Sequence, residues 1–141
     1  MSKQNVDLAR RTFTELAAST GVEDVARQLN DQRLAEYYDP EIEWVPLPQS
    51  PLAARTYRGY DGVRRFWTEF LSIWDEFSIE PGEFTDADPQ VAATMRMRGR
   101  AAGLEIDELW SSLMTFRDGR IERVQAFRTP DGAREAAGLG G

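Results

Sequence analysis

The sequence predicts an α+β fold in which N-terminal helices pack on a curved, mainly antiparallel sheet, and three observations support it. Apolar residues first recur at helical spacing, then a long aromatic helical stretch follows, and behind it come extended runs separated by turn signals. The aromatic stretch carries most of the information. In Tyr57–Phe77 the residues Val63, Phe66, Trp67, Phe70, Trp74 and Phe77 fall on one helix face, so that face needs a broad apolar surface to cover it. A sheet supplies such a surface. Gly59 and Gly62 punctuate the start of the helix, and Asp61 is placed to cap it.

Upstream, Val6, Ala9, Phe13, Leu16 and Ala17 share a helix face, and a second helical stretch runs from Val22 to Tyr38 with an interruption near Asn30. Asp39-Pro40 ends it. Glu41–Val45 alternates as a short strand, and the loop 46–56, with Pro46, Pro48 and Pro51, reads as a lid or rim because it is too proline-rich for a central strand. Downstream, strands are expected at Ser78–Thr85, Val91–Arg100, Glu105–Phe116 and Arg120–Phe127. Asp118-Gly119 is a hairpin signal, and Asp131 is expected to cap a short terminal helix.

The 141 residues read as one domain, residues 1–141, large enough for its own core. The N-terminus lacks the apolar region of a signal peptide and no run approaches a membrane span, so a soluble cytoplasmic protein is expected. The net charge of -7 argues against nucleic acid as a partner, despite the short basic run Arg96, Arg98 and Arg100. Without cysteine there are no disulfides, thiolate metal sites or cysteine nucleophiles. Without histidine, any acid–base chemistry falls to carboxylates, tyrosines, lysine or water. No spaced carboxylate cluster calls for a metal, and no cofactor is expected.

Strand alternation separates interior from exterior. Val91, Ala93, Met95, Met97 and Gly99 face inward, while Thr94, Arg96, Arg98 and Arg100 face out. On the next strand Ile106, Glu108, Trp110, Ser112 and Met114 share the inner face, with Asp107, Leu109, Ser111 and Leu113 opposite. Glu108 stands out as a carboxylate in an apolar row. Desolvation there raises its pKa toward that of a general base, whereas proximity to water or to an arginine leaves it an ordinary surface acid. Trp44, Tyr57, Trp67 and Trp110 could line an aromatic cavity or simply fill the core. Ser112 and Gln125 are candidate polar contacts to a ligand, Gln125 on condition that no bulge reverses the alternation of its strand.

The segments Tyr38–Trp44, Tyr57–Trp67, Thr115–Ile121 and Ala133–Leu139 together resemble the nuclear transport factor 2-like superfamily and, within it, the SnoaL-like group. The resemblance implies a cystatin-like α+β roll with a conical cavity, and a homodimer formed through the outer face of the sheet. It does not imply a reaction, because the superfamily joins isomerases, cyclases, dehydratases and epoxide hydrolases to binding subunits. Where steroid isomerase-like members carry their ionisable groups, this chain aligns Phe13, Trp44 or Val45, and Ser112. Dehydratase-like and cyclase-like patterns use histidine, which this chain lacks. Asp107 with an arginine of the Arg96–Arg100 run resembles the epoxide hydrolase arrangement but lies on the face opposite the cavity. The expected function is therefore binding of a small apolar or aromatic ligand through Trp44, Tyr57, Trp67, Met97, Trp110, Ser112 and Gln125. The alternatives are a cofactor-independent isomerase, cyclase or hydratase with Glu108 as base, and a purely structural dimerisation module.

Overall fold

The computed structural model describes residues 2–17, 29–46 and 56–139. Helix α1 (Ser2–Ala17) opens the chain, followed by α2 (Asp31–Tyr37), β1 (Tyr38–Val45), β2 (Tyr57–Arg58) and α3 (Gly59–Ser72). The strands β3 (Glu76–Ala87), β4 (Gln90–Ala101), β5 (Leu104–Arg117) and β6 (Arg120–Phe127) then precede a short helix α4 (Gly132–Ala136). The expected second helix is described only as α2, and the expected lid falls largely in 47–55, outside the described residues.

The six strands form one sheet in the order β2-β1-β6-β5-β4-β3. All neighbours are antiparallel except β1 and β6, whose parallel pairing joins the N-terminal part of the sheet to the meander β3–β6. Two-residue turns drive the meander. Ala102 and Gly103 have φ of 51° and 81°, Asp118 and Gly119 of 53° and 78°, the left-handed pairs that match the twist of a tight hairpin. Tyr38, expected at a helix end, instead begins β1. Pro40 is tolerated within that strand because the β1–β6 register is interrupted between Tyr38 and Glu43.

Both long helices lie on one side of the sheet, α1 against β3 and β4, α3 against β1 and β2. Helix α1 buries Asn5, Ala9, Thr12 and Phe13, a stripe at i, i+4 and i+3 spacing. Helix α3 buries Val63, Phe66, Trp67 and Phe70. Its entry is sharper than a capped start. Gly59 takes φ of +70°, the N-cap residue is Arg58, and Asp61 lies inside the first turn, where it accepts a hydrogen bond from Arg64 rather than from the helix backbone. The aromatic stripe outlasts the helix, since Phe70 meets Phe77 on β3 edge to face with centroids 5.0 Å apart.

Part of the opposite face of the sheet is covered by the chain itself. Helix α4 buries Ala133 against Ala92 and Leu113. Asp131 makes no side-chain cap; instead the Ser111 hydroxyl donates to Thr129 O at 2.6 Å and accepts from Ala133 N at 3.0 Å, anchoring the start of α4. Leu113, expected at a subunit contact, is thereby an internal residue. What stays open on that face is the far part of β4 and β5, with Leu109 54% exposed beside the Arg96–Asp107 ion pair.

Candidate functional site

Between the two helices and the sheet an apolar cavity of about 50 Å³ remains. Phe13 from α1 and Phe66, Trp67 and Phe70 from α3 form one wall, and Trp44 and Pro46 lie at the end of β1. The sheet contributes Ile79, Met95, Met97, Trp110, Ser112, Val124 and Ala126. These residues meet because alternation turns every second side chain of β4 and β5 inward, and the register sets Met95 opposite Trp110, Met97 opposite Glu108 and Ala93 opposite Ser112. The lining carries no ionisable side chain. Two wider hollows open on the surface, one at the β3–β5 end with Arg98, Arg100, Glu76 and Asp107, the other beside β2 with Arg58, Asp61 and Arg65. Ion pairs engage these groups in both, so neither presents a focused charge.

Five of the expected ligand-contacting residues, Trp44, Trp67, Met97, Trp110 and Ser112, come together around the cavity. Trp44 sits 5.7 Å from Trp67 in an edge-to-face contact and 5.3 Å from Phe66. Trp67 is 5% exposed, and its Nε1 has no hydrogen-bond partner.

Tyr57 and Gln125 lie elsewhere. The Tyr57 ring is buried against Phe66 at 5.5 Å, but its hydroxyl donates to Glu69, and the residue borders the surface hollow beside β2 instead of the cavity. Gln125 pairs with Leu113 on the outer face. The cause is a bulge at Glu122: Phe116 pairs with Ile121 and Thr115 with Arg123, so the extra residue reverses the alternation and turns Val124 and Ala126 inward.

Glu108 shares the inner face of β5 but is not a desolvated acid. Its carboxylate accepts Trp110 Nε1–H at 2.7 Å and takes a two-pronged contact from Arg128, Nε at 3.2 Å and Nη2 at 3.0 Å. Arg128 first, then Trp110, hold its pKa below the usual carboxylate range, outweighing the partial burial that pushes the other way. Of the two readings of Glu108, these contacts are those of an arginine-paired acid and not of a desolvated one. The sequence reading missed Arg128, which reaches Glu108 from the bend after β6, twenty residues along the chain. On the outer face Arg96 grips Asp107 through two bonds of 2.7 Å, and the Asp107 pKa is lowered chiefly by that contact. Among the described residues no group of three or more acidic side chains is placed to hold a metal ion, and no helix is long and apolar enough to cross a membrane.

This architecture, two helices in the concavity of a mostly antiparallel six-stranded sheet around an aromatic chamber, is an α+β roll. The sequence profile of the SnoaL-like domain family matches residues 21–124, and the chain belongs to that family. An uncharacterised protein of Mycobacterium tuberculosis is 28% identical over 140 residues, covering 94% of each chain, and one of Mycobacterium bovis matches equally. Among solved structures, a protein of unknown function with a cystatin-like fold from Xanthomonas campestris is similar with a TM-score of 0.70 and 21% identity, covering 94% of this chain and 95% of that one. A nuclear transport factor 2-like protein of unknown function from Burkholderia pseudomallei gives 0.70 at 17% identity, covering 90% and 92%. TerC, crystallised with polyporic acid, gives 0.69 at 16% identity, covering 96% and 98%. At these identities the structures establish the fold.

Proposed function

We propose that the chain binds a small, mostly apolar molecule in the chamber between α1, α3 and the sheet, and that it does so as a homodimer. The observation that carries this reading is the chamber itself. A cavity of about 50 Å³ walled by aromatic and methionine side chains costs on the order of 1 kcal/mol in lost packing, a cost that an occupant would repay. Its present volume fits a guest of a few heavy atoms. Met95 and Met97 are unbranched and swing at little expense, so they are the side chains that would yield to a larger one.

Titration of small organic molecules against tryptophan fluorescence tests the reading, because Trp44, Trp67 and Trp110 all line the space. Saturable quenching that disappears when Ala126→Leu fills the cavity supports it. Unchanged fluorescence across neutral guests of four to seven heavy atoms, in a folded protein, removes it.

The small volume favours one second reading, a dimerisation module that carries no ligand. Typical ligand pockets offer about 300 Å³ or more. The open part of the outer face, where Leu109 is 54% exposed, supports a second copy as the partner in both readings. Glu108, ionised and engaged by Arg128, fits the role of fixing the Trp110 wall better than that of a base.

A further inference from the structure

We infer that the Ser112 hydroxyl is the polar anchor of the cavity, and that its occupant is a neutral molecule with an apolar body and one hydrogen-bonding oxygen held at Oγ. The inference rests on the ligand-binding reading above and concerns the chemistry of the guest. Strand pairing sets Ser112 between Ala93 on β4 and Ala126 on β6, a row of three small side chains across the sheet. Ser112 and Ala126 both line the cavity, and side chains this short leave space that the flanking Met95–Trp110 row fills. The Ser112 side chain points to this side of the sheet, because its neighbour Ser111 turns to the other and is engaged there by Thr129 and Ala133. Among the described residues no protein group hydrogen-bonds to the Ser112 hydroxyl. Nor is that oxygen sealed in. The unpaired polar atoms enclosed by protein on every side belong to Tyr37, Trp67, Trp74 and Arg134, and Ser112 Oγ is not one of them. On a cavity-lining residue only 4% exposed, the open side of Oγ is the cavity.

A buried hydroxyl without a partner costs free energy, and an oxygen carried in by a guest recovers it. Serine donates one hydrogen bond and accepts others, so an alcohol, ether or ketone oxygen each pairs with it, and the shared chemistry is one neutral oxygen. Charge is disfavoured. With no ionisable side chain in the lining, a charged ligand would lose its hydration without gaining a counter-ion. A second polar group on the guest is disfavoured for a related reason: the other hydroxyl among the lining residues, that of Ser111, is spent on the start of α4, and the remaining side chains are aromatic, methionine or aliphatic.

Two probes of similar shape test this: cyclopentanol, and methylcyclopentane, in which a CH₃ replaces the hydroxyl. Each is titrated into the wild type and into Ser112→Ala, with the fluorescence of the cavity tryptophans as the readout. The probes differ in hydrophobicity, so the comparison is made within each probe, wild type against variant. The expected result is that Ser112→Ala binds cyclopentanol about tenfold more weakly and methylcyclopentane no more weakly than the wild type. Ser112→Cys, with a weak donor in place of the hydroxyl, should shift cyclopentanol in the same direction, and it carries the comparison should Ser112→Ala not fold. Cyclopentanol affinity that is unchanged in the variants, or that falls no further than that of methylcyclopentane, overturns the inference and leaves the ligand cavity standing; the hydroxyl would then be satisfied by water. Binding of neither probe to the wild type removes the cavity reading and the inference with it.

Discussion

Glu108 and Trp110, two residues apart on the inner face of β5, are joined by a hydrogen bond of 2.7 Å from the indole Nε1–H to the carboxylate. A strand places i and i+2 side by side on one face, so a long acid can reach back over its own strand to an indole. Arg128 completes the arrangement from the segment after β6. The cavity wall formed by Trp110 is therefore held by a charged group outside the lining.

The Glu108 carboxyl should titrate below the ordinary glutamate value of about 4.3, because Arg128 and Trp110 both favour its charged form. A depressed folded-state pKa contributes stability that is present above the unfolded value and lost as pH falls through the folded one. Arg128→Ala should move the titration upward, read by carboxyl ¹³C NMR. An unchanged midpoint would show that Arg128 does not engage the acid in solution.

Phe70→Ala should destabilise the fold by about 3 to 5 kcal/mol in chemical denaturation. Phe70 is 7% exposed, stacks on Phe66 at 5.5 Å, and meets Trp67, Trp74 and Phe77. A change within about 0.5 kcal/mol would mean that the aromatic stripe does not pack on the sheet as described.

Gly99→Ala tests the close approach of Trp74 to β4. A Cβ at this position would stand 2.6 Å from Trp74 Cε3, so the ring must move. Overpacking of this kind costs about 1 to 3 kcal/mol, and the displaced indole should change the near-ultraviolet circular dichroism. A neutral substitution with an unaltered spectrum would contradict the contact.

Ser111→Ala should cost about 1 to 3 kcal/mol, since it leaves the buried Ala133 N–H without its acceptor. Amide exchange at Ala133 should accelerate as α4 loosens. Retained protection there would show that α4 is held by its apolar contacts alone.

Sedimentation at micromolar concentration should report about twice the monomer mass, and Leu109→Asp should shift the population toward monomer by placing a desolvated charge in the contact. A wild-type protein that remains monomeric would end the dimer proposal. Salt should weaken the association only modestly. Arg96 and Asp107 already satisfy each other within one chain and have little charge left to offer a partner.

The amino-acid sequence by itself determined the element types, the α+β order and much of the inner face. Periodicity is a local property, and both the 3.6-residue stripe of Val63, Phe66, Trp67 and Phe70 and the alternation Val91, Ala93, Met95, Met97 survive intact in the core. Asp118-Gly119 likewise carries its own turn geometry. Tertiary structure decided whatever depended on register or on residues far apart in the chain. A single extra residue at Glu122 moved Gln125 to the outer face, and no propensity marks a bulge of that kind. Leu113 became interior because α4 folds back over it, and Glu108 became a stabilised anion because Arg128 arrives from another strand's end. Burial and pKa are sums over neighbours in space, so these outcomes exist only once the sheet has closed around its helices.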